Sequence, residues 1–390
     1  MNYSMESCVD VGTEQCPCAL ALTGDCLVCS RLRGKDCCDC RWQGVCVYNE
    51  FVQGGGRVNA PRQEFAAGIL EKEEFGAAGT ALTVLTLEVP KGLALRASLP
   101  GSFVFLRRKE DALWYSTPLS VLQADPEEGS IRLAVKRLSA KTKALLAEEK
   151  EFLVRGVYRS GIQGAERLVK LGRGAAAGAA AKGALRAPGG PQHNPKAARL
   201  RAQASQRAHA LFITRGVGLA PGILAARYLA GRAACDFLID EESLPQEFLN
   251  RYLPEGIGVR LLRFGTADPA AKLEAALQGP SPANSGAAAH SANCGAAASP
   301  EDAGAAASRK NSGADVGFPI ESLNYDAAAL LVSDYYQDLL APVLRRALPG
   351  AALCLANNFR MCCGEGLCGA CSYRTEDGEI LKMCKCGTVF

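Results

Sequence analysis

The sequence predicts a multidomain chain: an antiparallel β-barrel followed by a parallel α/β nucleotide-binding domain, with cysteine-rich segments at both ends. Three observations predict it. Residues 60 to 160 hold six short apolar runs with no long helix between them, and residues 208 to 348 alternate strand and helix patterns. The eighteen cysteines crowd the termini, nine between Cys8 and Cys46 and six between Cys362 and Cys386.

Residues 1 to 50 form the first cysteine-rich segment. The next part reads as strands at FAAGILEKEEF, TALTVLTLEVP, GSFVFLRR, WYSTPLSVL, SIRLAVKRL and EFLVRGVY, separated by Gly, Pro or acidic turns. Six such strands suit a small antiparallel barrel. The second domain opens on a buried-type strand, HALFIT, which runs into a Gly-rich turn and the helical pattern GILAARYLAG. Then come CDFLID, LPQEFLNRYL, VRLLRF, DPAAKLEAAL, AALLVS and YYQDLLAPVLRRAL, an alternation that predicts a parallel sheet. Residues 350 to 390 are cysteine-rich again.

Two stretches interrupt this order. Residues 167–207 are rich in Ala, Gly and Pro and carry nine Lys/Arg with no Asp or Glu, the composition of a solvated linker. Residues 279–317 read as a disordered insertion of mixed charge. The net charge of +4 rests on the first stretch, and without it the chain is net acidic. That stretch has no aromatic residue on which a base could stack, so a nucleic-acid partner is not expected. A membrane is not expected either, because the best apolar candidate, LFITRGVGLAPGILAARYLAG, is broken by Arg215, Arg227 and a Gly/Pro turn. The first residues hold an acid and no apolar core of a secretory signal. The expected compartment is therefore the cytoplasm, where clustered thiols persist as metal ligands or redox groups rather than as disulfides.

The most specific chemical signal is Cys363-Gly-Glu-Gly-Leu-Cys368-Gly-Ala-Cys371, followed by Cys384. The spacing C-x4-C-x2-C with a distant fourth cysteine is the plant-type pattern for a 2Fe-2S cluster. Its glycines let backbone N–H groups turn toward the inorganic sulfides. Zinc sites more often pair two C-x2-C units, and only Cys368/Cys371 supplies one here. Cys362 and Cys386 neighbour the outer ligands, so spacing alone leaves two registers open.

Gly216-Val-Gly218-Leu-Ala220-Pro221, set between a strand and a helix, has the context of a pyrophosphate loop: glycine admits close approach, and the helix start supplies partial positive charge. Asp240, Glu241 and Glu242 end the following strand. An acid there accepts from a ribose 2′-OH and repels a 2′-phosphate, which predicts NAD(H) over NADP(H), with Asp240 as the acceptor. The three histidines, His193, His209 and His290, lie in or beside the inserts, which argues against a His-centred hydrolase.

Taken together, Thr117-Pro118-Leu119-Ser120, the Gly216 to Pro221 loop, the Cys363 to Cys371 motif and the closing LKMCKCGTVF resemble the ferredoxin-reductase-like flavoproteins. More narrowly, the chain is similar to the electron-transfer subunit of dihydroorotate dehydrogenase and to sulfide-dehydrogenase-like and bifurcating transhydrogenase small subunits. The resemblance covers most of residues 60 to 390 outside the two inserts. It implies FAD on the barrel, with Ser120 beside flavin N5, Pro118 and Leu119 framing the ring, and Lys136 and Ser139 to Thr142, including Lys141 and Thr142, along the ribityl and phosphates. It also settles the register on Cys363, Cys368, Cys371 and Cys384. The first fifty residues resemble a cysteine-rich extension in some relatives, in which Cys8, Cys16, Cys18, Cys26, Cys29, Cys38, Cys40 and Cys46 suit two four-thiolate sites, iron-sulfur or zinc.

NADH gives two electrons as hydride and an iron-sulfur cluster accepts one at a time, so a flavin between them lets all the parts work together. The implied activity is oxidoreductase electron transfer as one subunit of a complex. The implied partner is a catalytic flavoprotein subunit, dihydroorotate-dehydrogenase-like, with a role in pyrimidine biosynthesis, or glutamate-synthase-like. Two rivals stand beside it: a stand-alone NADH-dependent reductase of small acceptors and a zinc-stabilised binding module.

Overall fold

The computed structural model describes residues 8–77, 81–173, 208–265, 268–278 and 324–387. Most of the expected linker, from residue 174, and the whole of the expected 279–317 insertion lie outside the described residues. Helix α1 (Leu20–Thr23) and α2 (Val47–Gln53) belong to the N-terminal segment. The barrel follows, with β1 (Glu64–Phe75), β2 (Leu82–Glu88), α3 (Lys91–Ala97), β3 (Phe103–Arg107), β4 (Thr117–Asp125), β5 (Ser130–Lys136), α4 (Ala140–Ala147) and β6 (Glu151–Tyr158). Its strands close in the order β1-β2-β5-β4-β3-β6, each pair antiparallel. All six expected strands are present.

Strand β2 shows why its sequence reads as an unbroken apolar run. Side chains alternate across a strand, and here both faces are covered. Leu85 and Leu87 point into the barrel core, whereas Leu82 and Val84 join a second core shared with the α/β domain. Strands β4 and β5 do the same: Val121, Ile131, Leu133 and Val135 fill the barrel, and Leu122 and Ala134 face outward into the shared core. This wall of β2, β5 and β4 is where the second domain packs. Helix α3 closes the barrel by burying Leu93, Ala94 and Ala97.

Past β7 (Ile162–Gln163), residues 165–173 are helical. The second sheet then comprises β8 (Ala208–Thr214), β9 (Ala233–Asp240), β10 (Gly258–Leu262), β11 (Ala327–Leu331) and β12 (Ala352–Ala356), in the order β10-β9-β8-β11-β12-β7. The first five are parallel and β7 joins antiparallel at the edge. Helices α6 (Leu219–Leu229), α7 (Gln246–Tyr252), α8 (Pro269–Gln278) and α9 (Asp334–Ala347) connect the strands, with α5 the helix at 165–173. The sheet runs beyond the boundary expected at residue 348: β12, ALCLA, is its fifth parallel strand and lies inside the segment assigned from its cysteines alone. A short hairpin, β13 (Ser372–Arg374) and β14 (Ile380–Lys382), ends the chain. Among the described residues no helix is long and apolar enough to cross a membrane.

Candidate functional site

The Gly-rich turn sits where β8 ends. Gly216 takes φ +58°, and at Gly218 a Cβ would come within 2.1 Å of the Leu331 carbonyl oxygen at the end of β11. The strand and loop backbones are therefore in contact there. Helix α6 starts directly after, with Ala220 and Pro221 buried, and packs on β4, while the turn itself lies against β5. The structure thus brings the expected nucleotide loop to the barrel wall that carries the Pro118–Ser120 motif.

Asp240 is not the open acid the sequence suggested. It is fully buried, and its Oδ1 accepts from the Phe264 N–H at 3.2 Å. Its Oδ2 lies 2.7 Å from Arg215 Nε, an ion pair by distance in which the N–H does not point along the line to the oxygen. The Arg215 guanidinium also stacks 4.7 Å from the Tyr336 ring centre. Asp240 therefore anchors the start of the loop. Of the three acids, Glu241 pairs with Arg263, and Glu242 is exposed.

On the barrel, Pro118, Leu119 and Ser120 pair with Phe105, Val104 and Phe103 of β3; Pro118 is exposed and Leu119 and Ser120 are half-buried. Lys136 ends β5, half-buried. The two donors expected along the phosphates are engaged locally. Lys141 Nζ donates to the Trp114 carbonyl at 2.8 Å and lies over the Tyr115 ring. The Thr142 hydroxyl accepts from the Ser139 N–H at 2.9 Å and the Leu138 N–H at 3.1 Å, closing a capping box at the start of α4.

The C-terminal thiols converge. The Cys384 thiol neighbours those of Cys363 and Cys371, and its influence draws both of those thiols down toward thiolate while Cys384 itself is pushed up. Cys363 also contacts Cys368, whose thiol is raised by its burial. The Glu365 N–H donates to Cys363 Sγ at 3.3 Å and the Cys384 N–H to Cys371 Sγ at 3.4 Å. Cys362, by contrast, is exposed, and Cys386 is turned to a β-bridge with Cys8. Gly364, at φ +72°, lets the loop press on the barrel: a Cβ there would meet the Tyr158 ring at 2.4 Å. Among the described residues no group of three or more His, Cys, Asp or Glu is arranged to hold a metal ion. A binuclear cluster takes a pair of thiolates on each iron, and linked thiol pairs with N–H donors aimed at sulfur suit that group.

A buried ionic network under this loop escaped the sequence reading. Lys385 Nζ lies 2.7 Å from both Asp10 Oδ2 and Glu365 Oε2. Arg62 reaches Asp10 at 2.6 Å and Glu365 at 3.2 Å, and it donates to the Val157 carbonyl. The Tyr158 hydroxyl donates to Glu365 at 3.0 Å, and Arg155 holds both that hydroxyl and the Cys363 carbonyl at 2.5 Å. The N-terminal segment, the barrel and the thiol loop thus meet in one cluster of charges.

The N-terminal thiols lie in overlapping neighbourhoods, with Cys29 next to both Cys26 and Cys40. Cys8, Cys16, Cys18 and Cys26 line one small cavity. Cys38 Sγ and Cys40 Sγ stand 3.7 Å apart, and Cys29 is an electrostatic neighbour of Cys40. Cys37 and Cys46 are exposed.

No family model matches this sequence, and no curated protein does. Among solved structures it is similar to the NADH-dependent reduced ferredoxin-NADP oxidoreductase of flavin-based electron bifurcation, at 15% identity over 82% of this chain and 85% of that one, TM-score 0.48. It is also similar to an intact type IV self-sufficient cytochrome P450 monooxygenase, at 12% identity over 84% of this chain and 40% of that one, TM-score 0.40. A third is the ferredoxin-NADP+ reductase from Plasmodium falciparum, at 12% identity over 54% and 73% of the two chains, TM-score 0.32. Likeness this distant carries no argument about activity or ligands, and the fold assignment above rests on this chain's own strand order.

Proposed function

We propose that this chain is an electron-transfer oxidoreductase that passes electrons between NAD(H), FAD and a 2Fe-2S centre to or from a partner redox subunit, dihydroorotate-dehydrogenase-like or bifurcating-transhydrogenase-like. The observation that carries it is the gathering of Cys363, Cys368, Cys371 and Cys384 into linked thiol pairs on a loop that presses against the barrel beside β6. The flavin, when bound, supplies the exchange between two-electron hydride and single-electron chemistry. The chain's own residues do the positioning. The positive-φ Gly216 and the start of α6 let a pyrophosphate approach the turn closely and meet the positive end of the helix, with the Gly218 N–H held by the Arg215 carbonyl, and the half-buried Leu119 and Ser120 form part of the barrel face for a flat ring. Arg155 and Tyr158 fix the Cys363 carbonyl, which holds the first thiol in place.

The exposed Glu242 takes over the acceptor role first given to Asp240, and its charge disfavours a 2′-phosphate. Protein purified without oxygen is expected to contain flavin and iron, to bleach on addition of NADH, and to respond to NADPH at least about tenfold less, a difference of about 1.4 kcal/mol. A colourless, iron-free, zinc-containing preparation would sink this reading, and equal reduction by both nucleotides would remove Glu242 from it.

A further inference from the structure

We propose, resting on the 2Fe-2S reading above, that Arg155 is the buried counter-charge of the C-terminal thiol centre and sets how readily that centre accepts an electron. Beneath the thiol loop, buried positive charge exceeds negative. Lys385 and Arg62 each contact both Asp10 and Glu365, so these two cations and two carboxylates balance. Arg155 is buried in the same cluster and, among the described residues, forms an ion pair with no carboxylate. Glu64 stands opposite it on the β1–β6 ladder but is held by Arg107 at 2.6 Å. Glu365 meets it through the Tyr158 hydroxyl, which accepts from Arg155 and donates to the carboxylate.

The other contacts of the guanidinium do not cancel its charge. It lies 4.7 Å from the Phe105 ring centre and 5.7 Å from that of Tyr158, and its Nε has no hydrogen-bond partner. Ring faces attract a cation through their quadrupole but carry no net charge. A buried cation left without an anion is strongly unfavourable. The fold nevertheless holds this one in place, which points to a negative group that the neighbouring side chains do not supply.

The backbone shows where that group stands. Arg155 donates to the Cys363 carbonyl at 2.5 Å. Gly364 seats the next peptide against the same two rings, since a Cβ there would come within 2.4 Å of Tyr158 and 2.9 Å of Phe105. The loop pressed onto Arg155 in this way is the one that carries Cys363 and Cys368. A 2Fe-2S centre bound by four thiolates is net negative, and the single electron it accepts from a reduced flavin adds to that charge. A fixed cation shielded from water therefore favours the reduced centre over the oxidised one. Arg155 acts through the charge of the centre and touches no substrate, so it is a positioning residue.

The test uses the full chain, purified anaerobically and titrated with dithionite in the presence of redox mediators, with the C-terminal centre followed by its electron paramagnetic resonance signal. Arg155→Gln keeps an N–H donor for the Cys363 carbonyl and removes the charge. It is expected to lower the one-electron reduction equilibrium at least about tenfold, a fall of about 59 mV. Arg155→Lys keeps the charge and is expected to stay within about threefold of the unmodified protein. An unchanged or higher equilibrium in Arg155→Gln overturns the proposal, and so do equal falls in both variants, because the fit of the side chain would then matter and its charge would not. Should neither variant retain the centre, Glu365→Gln decides. It removes a carboxylate from the same cluster, enlarges the surplus of positive charge and is expected to raise the equilibrium at least about threefold; no rise overturns the proposal. Unmodified protein with no paramagnetic centre that Cys371→Ser abolishes sinks the 2Fe-2S reading and this proposal with it, whereas a centre that Arg155→Gln leaves unmoved sinks this proposal alone.

Discussion

Replacing Lys385 with methionine is expected to destabilise the folded chain by about 3–5 kcal/mol, because it removes one cation from a buried set of charges and leaves its carboxylates underpaired. Lys385 is fully buried, and Asp10 and Glu365 are nearly so. With Lys385 gone, Asp10 is left to Arg62, and Glu365 to Arg62 and the Tyr158 hydroxyl. The urea midpoint of the full chain at neutral pH measures the effect, and a loss below about 1 kcal/mol would show that water reaches the site. Acid should produce a related loss. Burial alone would raise the Asp10 carboxyl, but Lys385 and Arg62 outweigh it and hold it below the usual range. A carboxylate lowered on folding stabilises above its unfolded value, about 3.9, and that contribution disappears as the pH falls through the folded value. Stability is therefore expected to hold down to about pH 4 and then drop, with a shallower drop in the lysine variant. Because Asp10 is the N-terminal segment's share of the network, limited proteolysis of the variant should release residues before Arg62 first.

The barrel and the sheet were legible because their strands carry their own signal. HALFIT, CDFLID and AALLVS are short apolar runs, and each is a central strand of the parallel sheet. ALCLA carries the same signal, yet it follows a helix by four residues and lies in a cysteine-rich stretch, so its composition pointed to the thiol segment. Which four C-terminal thiols gather was legible from C-x4-C-x2-C spacing together with a resemblance. What Asp240 does was not. An acid at the end of the second strand looks the same in sequence whether it faces a ribose or turns inward to Arg215, and only the Phe264 N–H and the Arg215 guanidinium that meet it decide. The charge network is hidden for a further reason. Its members lie at 10, 62, 365 and 385, so no local window contains two opposite partners within it except the last pair, and a lysine between cysteines reads as surface charge.

The two glycines of the nucleotide turn are expected to fail differently, and the contrast tests how the loop is built. Gly218→Ala should cost about 3 kcal/mol and weaken NADH binding at least about tenfold, because overpacking against backbone cannot be relieved by a rotamer. Its φ is an ordinary −61°, so the penalty comes wholly from the Leu331 carbonyl, 2.1 Å from the new Cβ. Either β11 must shift along its pairing with β8, or the turn must lift away from the sheet and from β5. Gly216→Ala meets no atom within 4 Å and suffers only the strain of a positive φ, about 1–2 kcal/mol. Urea midpoints and fluorescence titrations with NADH on both variants measure these effects. If Gly218→Ala proves no worse than Gly216→Ala, the close contact between turn and strand is not what sets the loop. If Gly218→Ala loses stability but keeps its NADH affinity, the turn is a structural βα connection and the pyrophosphate must bind elsewhere.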